Sequence, residues 1–290
     1  YNPWDKPEQL NFHKTQLKKL LIETDADGLV LDTKGKSETW LQNLADSIKP
    51  GIIMYSEGMA VPMDMAGIVA GRVHDALYMP PALNLNKLIK PDFAIFRVLQ
   101  VADGDLHREI AVSFFNGYGV EINTMRPGRP PSLQENLYFL GKTTKLLRDN
   151  QTVFFNYNYS PLLNTLVDSI YVNKWKTDEK IIYTIYSLRP EGFHGSLFAF
   201  DELQIPNPSI KEEPYHFVSL WNHQEIEAMK MDGKYYLPVH VSSFDRAFLG
   251  TRNEAQVECI AVLPKVLEIH LKHDTLYFDS SFGNRIDITA

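Results

Sequence analysis

Residues 25–35, DADGLVLDTKG, hold a short apolar run, Leu29, Val30 and Leu31, that ends on the carboxylate of Asp32. A run this short reads as a buried strand. In a parallel sheet the strand interiors are covered on both faces, while their C-terminal ends meet the loops where ligands bind, so a charge just past the run points at a site. The same event recurs outward along the chain: GIIMYSEG ends on Glu57, FAIFRV carries Arg97, and GVEIN brings Glu121 and Asn123. Each charge also has a plain structural reading, a loop-facing group paired with a neighbouring Lys or Arg. Their recurrence is what points to a polar cavity at one end of a sheet.

The flanking periodicities agree with a strand-then-helix rhythm. Helical spacing of Phe12, Leu17, Leu20 and Leu21 predicts a helix over residues 11–24. Trp40, Leu41, Leu44 and Ile48 predict a second, N-capped by Ser37 and stopped by Pro50 and Gly51. Met65, Ile68, Val69 and Val73 read as a third. FAIFRVLQ, IAVSFF and YGVEIN read as strands, and SLQENLYFLGKTTKLLRDN as a closing helix with Leu137, Leu140 and Leu147 on one side. This pattern predicts an α/β fold with a parallel sheet covered by helices.

After about residue 155 the runs KIIYTIYSL, YHFVSLW, KYYLPVHVSSF and ECIAVL are short, rich in aromatic and β-branched residues, and separated by turn formers. Asp232-Gly233 is a hairpin-turn pair. The expected division is therefore an α/β region with a parallel sheet over 1–155 and an antiparallel β-sandwich domain over 156–290, with Trp175 and Trp221 as packing residues of the latter.

Composition limits the function classes. The chain has 290 residues, 44% hydrophobic and 22% charged, with a formal net charge of -7 and no Lys/Arg block, which argues against a nucleic-acid surface. No run of 18 apolar residues occurs, so no membrane-spanning helix is expected. The single cysteine, Cys259, excludes an internal disulfide framework and sits in an apolar strand pattern, as an inert buried thiol would. Tyr1 is not preceded by a basic-then-apolar leader, and localisation is not legible from this start. His270 and His273 are three apart in a strand pattern and point to opposite faces, DADG lacks the remaining ligands of a calcium loop, NGYGVE lacks a dinucleotide fingerprint, and no Gly-x-Ser-x-Gly occurs. The expectation is chemistry without a metal or organic cofactor.

Two carboxylates on neighbouring strand ends are what glycoside hydrolysis needs: one serves as nucleophile or base, and the other, protonated, donates to the leaving oxygen. Arg97 or Lys34 beside one of them would separate their pKa values. The order DGLVLDT, MYSEGM, FRV, GVEINT, then the helix ENLYFLGKTTKLLRDN and SLWNHQEIE, resembles the C-terminal portion of TIM-barrel glycoside hydrolases of the broad α-galactosidase-like kind, which carry a β-sandwich after the barrel. By that resemblance Asp32 matches the strand-end aspartate that acts as nucleophile or base. Glu57 as general acid is an inference from the next strand, since those enzymes commonly place an acidic Asp later. They also commonly show a Lys two residues before the aspartate, where Val30 stands here.

A complete barrel takes about 200 residues or more, and only about 155 precede the sandwich. The expectation is a barrel incomplete at its N-terminus, with its first strands in an additional N-terminal segment or a second chain. On that reading YNPWD lies at the catalytic mouth, Trp4 stacking on a sugar and Asp5 bonding hydroxyls; Trp4 as an ordinary packed aromatic is the alternative. Tyr55, Lys34, Arg97, Glu121 and Asn123 complete the expected substrate-binding set for an oligosaccharide or glycoside. A catalytically silent carbohydrate-binding or scaffold protein on the same fold is the rival function.

Overall fold

The computed structural model describes residues 6–32, 39–57, 65, 67–73, 83, 85–103, 106–178, 180–200, 215–244, 255–264, 266–272 and 275–280. The chain divides into two compact units, Tyr1–Tyr78 with Leu85–Val98, and Met79–Asn84 with Leu99–Ala290. The change of composition near residue 155 therefore falls inside the second unit.

In the first unit, helix α1 (Pro7–Thr24) begins with proline, whose missing N–H would have no intrahelical partner there, and stops at Asp25. Asp25 takes the left-handed conformation (φ 49°) and donates its N–H to the Leu21 carbonyl. Strand β1 (Gly28–Leu31), helix α2 (Thr39–Ile48), strands β2 (Ile53–Ser56) and β3 (Ala70–Val73), and residues 94–98 of β4 (Ala94–Gln100) follow. These four strands are parallel neighbours in chain order, with Leu31 opposite Ser56, Ser56 opposite Gly71, and Val73 opposite Arg97. Among the described residues no strand pairing closes the parallel sheet into a barrel. Ile52 and Met54, two apart, are buried, as are Leu21 of α1 and Leu41 and Ala45 of α2, and Gln42 Nε2 of α2 donates to the Ile52 carbonyl (3.4 Å). One face of β2 is thus dry, and the intervening Ile53 and Tyr55 lie on the other.

Two segments differ from the sequence expectation. Residues 65–73, expected as a helix, end in strand β3; the spacing of Met65, Ile68, Val69 and Val73 suits either period over so short a stretch. IAVSFF, expected as a strand, is the end of helix α3 (Leu106–Phe115). All six of its residues, Ile110 to Phe115, are buried, so the helix has no polar stripe there to betray its 3.6-residue period.

In the second unit, α3 is followed by β5 (Gly119–Asn123), α4 (Leu133–Asp149), α5 (Gln151–Phe154) and β6 (Tyr159–Ser160). Strands β7 (Ile170–Lys176), β8 (Ile181–Ser187), β9 (Phe193–Phe200), β10 (Tyr215–Ser219), β11 (Gln224–Ile226), β12 (Met229–Met231), β13 (Lys234–Val241) and β14 (Gln256–Pro264) come next, and β15 (Val266–Lys272) pairs with β16 (Thr275–Ser280) as a hairpin. They form a six-stranded antiparallel sheet, β11-β10-β14-β8-β7-β6, and a three-stranded one, β12-β13-β9. Every residue of β8 is buried. On one face Ile181, Tyr183 and Ile185 join Leu197 and Phe198 of β9 and Leu237 and Val239 of β13, so the two sheets share one apolar core. On the other face the carbonyl of Phe115, at the end of α3, accepts from Thr184 Oγ1 (2.9 Å) and Asn173 Nδ2 (3.0 Å), while the Trp175 indole N–H donates to Thr184 (3.0 Å). Trp175 is fully buried, as expected.

The Asp232-Gly233 turn is present: both residues have positive φ (49° and 77°), and Met231 pairs with Lys234 across it. Gly192 is more constrained. Its φ is +74°, and a Cβ there would lie 2.6 Å from the Val241 carbonyl oxygen and 2.8 Å from the Ser243 nitrogen. Gly192→Ala is expected to destabilise the protein by about 2 kcal/mol, combining backbone strain with a clash against main chain that no side-chain rotation relieves. Urea unfolding of the two proteins side by side checks it; equal midpoints would contradict the strain argument.

Candidate active site

The first unit assembles a polar cluster at the C-terminal edge of its parallel sheet. β1 and β2 pair in register through Leu31 and Ser56, so Asp32 and Glu57 each stand one residue past the last pair. The Glu57 N–H donates to the Leu31 carbonyl at 3.2 Å, which places the two acidic residues at neighbouring positions on adjacent strands. Asp32 is exposed and Glu57 half-buried.

Strand alternation sorts the side chains. Tyr55 is opposite Ala70, so Tyr55, Glu57, Ala70 and Arg72 share a face, and the pairing of Arg72 with Phe96 adds Phe96 to it. On that face Arg72 reaches back over β2. Its Nη1 lies 2.7 Å from Glu57 Oε1, its Nε donates to the Tyr55 hydroxyl at 3.2 Å, and its guanidinium stands 5.5 Å from the Tyr55 ring centre. Phe96 supports Tyr55 edge-on at 5.8 Å. The ion pair is partly shielded, with side-chain exposures of 19% for Arg72 and 22% for Glu57. Arg72 was not among the residues singled out from the sequence, because its segment read as a helix.

The other expected site residues distribute differently. Arg97 follows Phe96 and pairs with Val73, which turns it to the opposite face from Glu57 and Arg72, where it is buried at 7% exposure. Glu121 and Asn123 belong to the second unit, on β5, and the Asn123 Oδ1 accepts the Met125 N–H (2.9 Å), closing a local turn. Trp4, Asp5 and Lys34 lie outside the described residues. Among the described residues no group of three or more His, Cys, Asp or Glu is placed to hold a metal ion, and no helix is long and apolar enough to cross a membrane.

No protein-family model matches the chain, and no curated protein matches it. Solved structures do. An α-amylase from Anoxybacillus, described as a glycosyl hydrolase, is similar over 90% of this chain and 64% of its own, with a TM-score of 0.57 and 14% identity. A variant of AmyP in complex with maltotriose is similar over 90% of this chain and 69% of its own, at a TM-score of 0.59 and 8% identity. The α-amylase of Geobacillus thermoleovorans, complexed with acarbose, covers 89% and 65%, at 0.54 and 14%. The chain thus spans about two thirds of the length of the structures it matches. At these identities the likeness is one of fold, which this chain shares with glycoside hydrolases along nearly all of its length.

Proposed function

We propose that the protein is a glycoside hydrolase that cleaves an oligosaccharide with Asp32 as nucleophile and Glu57 as general acid and base. The observation that supports this is the register that brings Asp32 and Glu57 side by side at the end of one parallel sheet. Adjacent strands lie about 4.8 Å apart, the base from which two carboxyls meet at the about 5–5.5 Å of a retaining enzyme; an inverting pair needs about 6.5–9.5 Å. In the first step an Asp32 oxygen bonds the anomeric carbon as the glycosidic C–O bond breaks, and Glu57 protonates the departing oxygen. In the second, Glu57 takes a proton from water, the water oxygen bonds the anomeric carbon, and the bond to Asp32 breaks.

Arg72 is a positioning residue in this scheme. Its guanidinium bonds both Glu57 and the Tyr55 hydroxyl and so fixes where the Glu57 carboxyl stands. Arg72→Met is expected to lower kcat by about 10- to 100-fold with little change in KM, and Arg72→Lys to recover part of it. A loss confined to KM would assign Arg72 to substrate binding instead.

The fold likeness adds that maltooligosaccharides belong in the first substrate panel, beside galactosides for the α-galactosidase-like reading. The barrel itself, with residues 1–155 as its partial catalytic region, residues 156–290 as a sandwich, and its remaining strands in an N-terminal segment or a second chain, belongs to the same proposal. One observation favours the rival reading of a silent carbohydrate binder: an acid already ion-paired to Arg72 must part from it before it can donate a proton. Hydrolysis of the panel, with the anomer first released read by proton NMR, separates the two. Retention of configuration supports the pair as assigned, inversion overturns its geometry, and binding without turnover establishes the binder.

A further inference from the structure

Two histidines face each other on the exposed side of the three-stranded sheet. His194 of β9 and His240 of β13 are directly opposed, between the pairs Phe193 with Val241 and Gly195 with Val239. Alternation buries Val239 and Val241 and turns His240 outward, and both histidines are exposed. Their ring centres are 5.7 Å apart with 63° between the planes.

An imidazole nitrogen binds Zn²⁺ at about 2.0–2.1 Å, which places the ion about 3.2 Å from the ring centre. Two rings gripping one ion at a tetrahedral to trigonal angle then have centres about 5.2–5.5 Å apart. The observed pair stands a few tenths of an ångström wider, within reach of a small side-chain rotation. We propose that His194 and His240 form a two-point site for a late first-row divalent ion, Zn²⁺ or Cu²⁺, that bridges β9 and β13. Imidazole is a ligand these ions favour, whereas Ca²⁺ and Mg²⁺ take oxygen donors. The strand pairing fixes the second ring beside the first, so the second bond forms intramolecularly. Water fills the remaining coordination positions. The ion would tie together two strands whose register is broken between Leu237 and Pro238, and because the paired geometry exists only in the folded chain, binding raises stability.

The test is calorimetric titration of the untagged chain with ZnCl₂ and CuCl₂, beside His194→Asn, His240→Asn and the double variant. Each single substitution is expected to weaken binding by about tenfold or more, and the double to be no weaker than either single, since losing one ring already abolishes chelation. Zn²⁺ is expected to raise the melting temperature of the parent and not of the variants, and Cu²⁺ in the parent to show two nitrogen ligands by electron paramagnetic resonance. Both side chains are exposed, so metal-free melting curves of all four proteins are expected to superimpose. Parent-like affinity in either single variant would overturn the proposal, because the ion would then be held by others among the nine histidines.

Discussion

Asp32→Asn is expected to reduce turnover of every glycoside the parent cleaves by about 1000-fold or more, whatever the leaving group, because the first bond to the anomeric carbon can no longer form. Glu57→Gln is expected to behave differently. A leaving group that departs without protonation, such as dinitrophenolate, bypasses the acid in the first step, so the variant keeps much of that step's rate and then stalls on the glycosyl-enzyme. A poor leaving group loses about 10²- to 10⁴-fold, the usual contribution of a positioned proton donor. The contrast between the two substrates therefore assigns the roles, which the magnitude of either loss alone does not. Reversal of the pattern, with leaving-group sensitivity at Asp32 and not at Glu57, would exchange the two carboxylates. Full activity in both variants would remove the catalytic pair altogether.

Legibility in the sequence followed the physics of each segment. The strand ends at Asp32 and Glu57 were visible because a charge breaks a short apolar run, and the register then placed the two as neighbours. The Asp232-Gly233 turn was visible because two consecutive positive φ values demand such residues. Arg72 was hidden for a specific reason: β3 has only four residues, and its preceding apolar positions fit a helical spacing, so its arginine fell on no predicted strand end. Arg97 shows the converse. It follows an apolar run as Glu57 does, but strand alternation decides which face it meets, and one position's difference from Arg72 turns it away. The α3 misreading has the same root as the fully buried β8, since an element covered on all sides exposes no polar stripe from which to read its period. What no single-sequence pattern encodes is the pairing of distant residues, such as Arg72 with Glu57 or His194 with His240.

A second large effect is expected in the second unit, where Glu258 of β14 is 1% exposed. Its Oε1 accepts from Ser219 Oγ (2.8 Å) and the Cys259 N–H (2.7 Å), and its Oε2 from Asn222 Nδ2. Lys142 of α4 is the nearby cation, its Nζ 4.0 Å from the Trp221 ring centre. Burial pushes the Glu258 carboxyl up to about 7, and the hydrogen bonds and Lys142 only partly oppose it. The folded chain thus holds this proton more tightly than the unfolded chain, whose carboxyl has the ordinary value of 4.5. The contribution to stability is complete below that value and lost as pH rises through 7, about 3 kcal/mol in all. His107 acts in the opposite sense, since burial lowers its pKa and its contribution fades as pH falls. The comparison that isolates Glu258 is therefore the parent against Glu258→Gln, which is neutral at every pH and leaves His107 in place. At pH 5 the two proteins are expected to unfold at nearly the same urea concentration. At pH 8 the glutamine variant is expected to be more stable by about 2–3 kcal/mol, because only the parent then keeps a buried charge. A difference that stays constant between pH 5 and pH 8 would mean that the three donors and Lys142 solvate the carboxylate as well as water does.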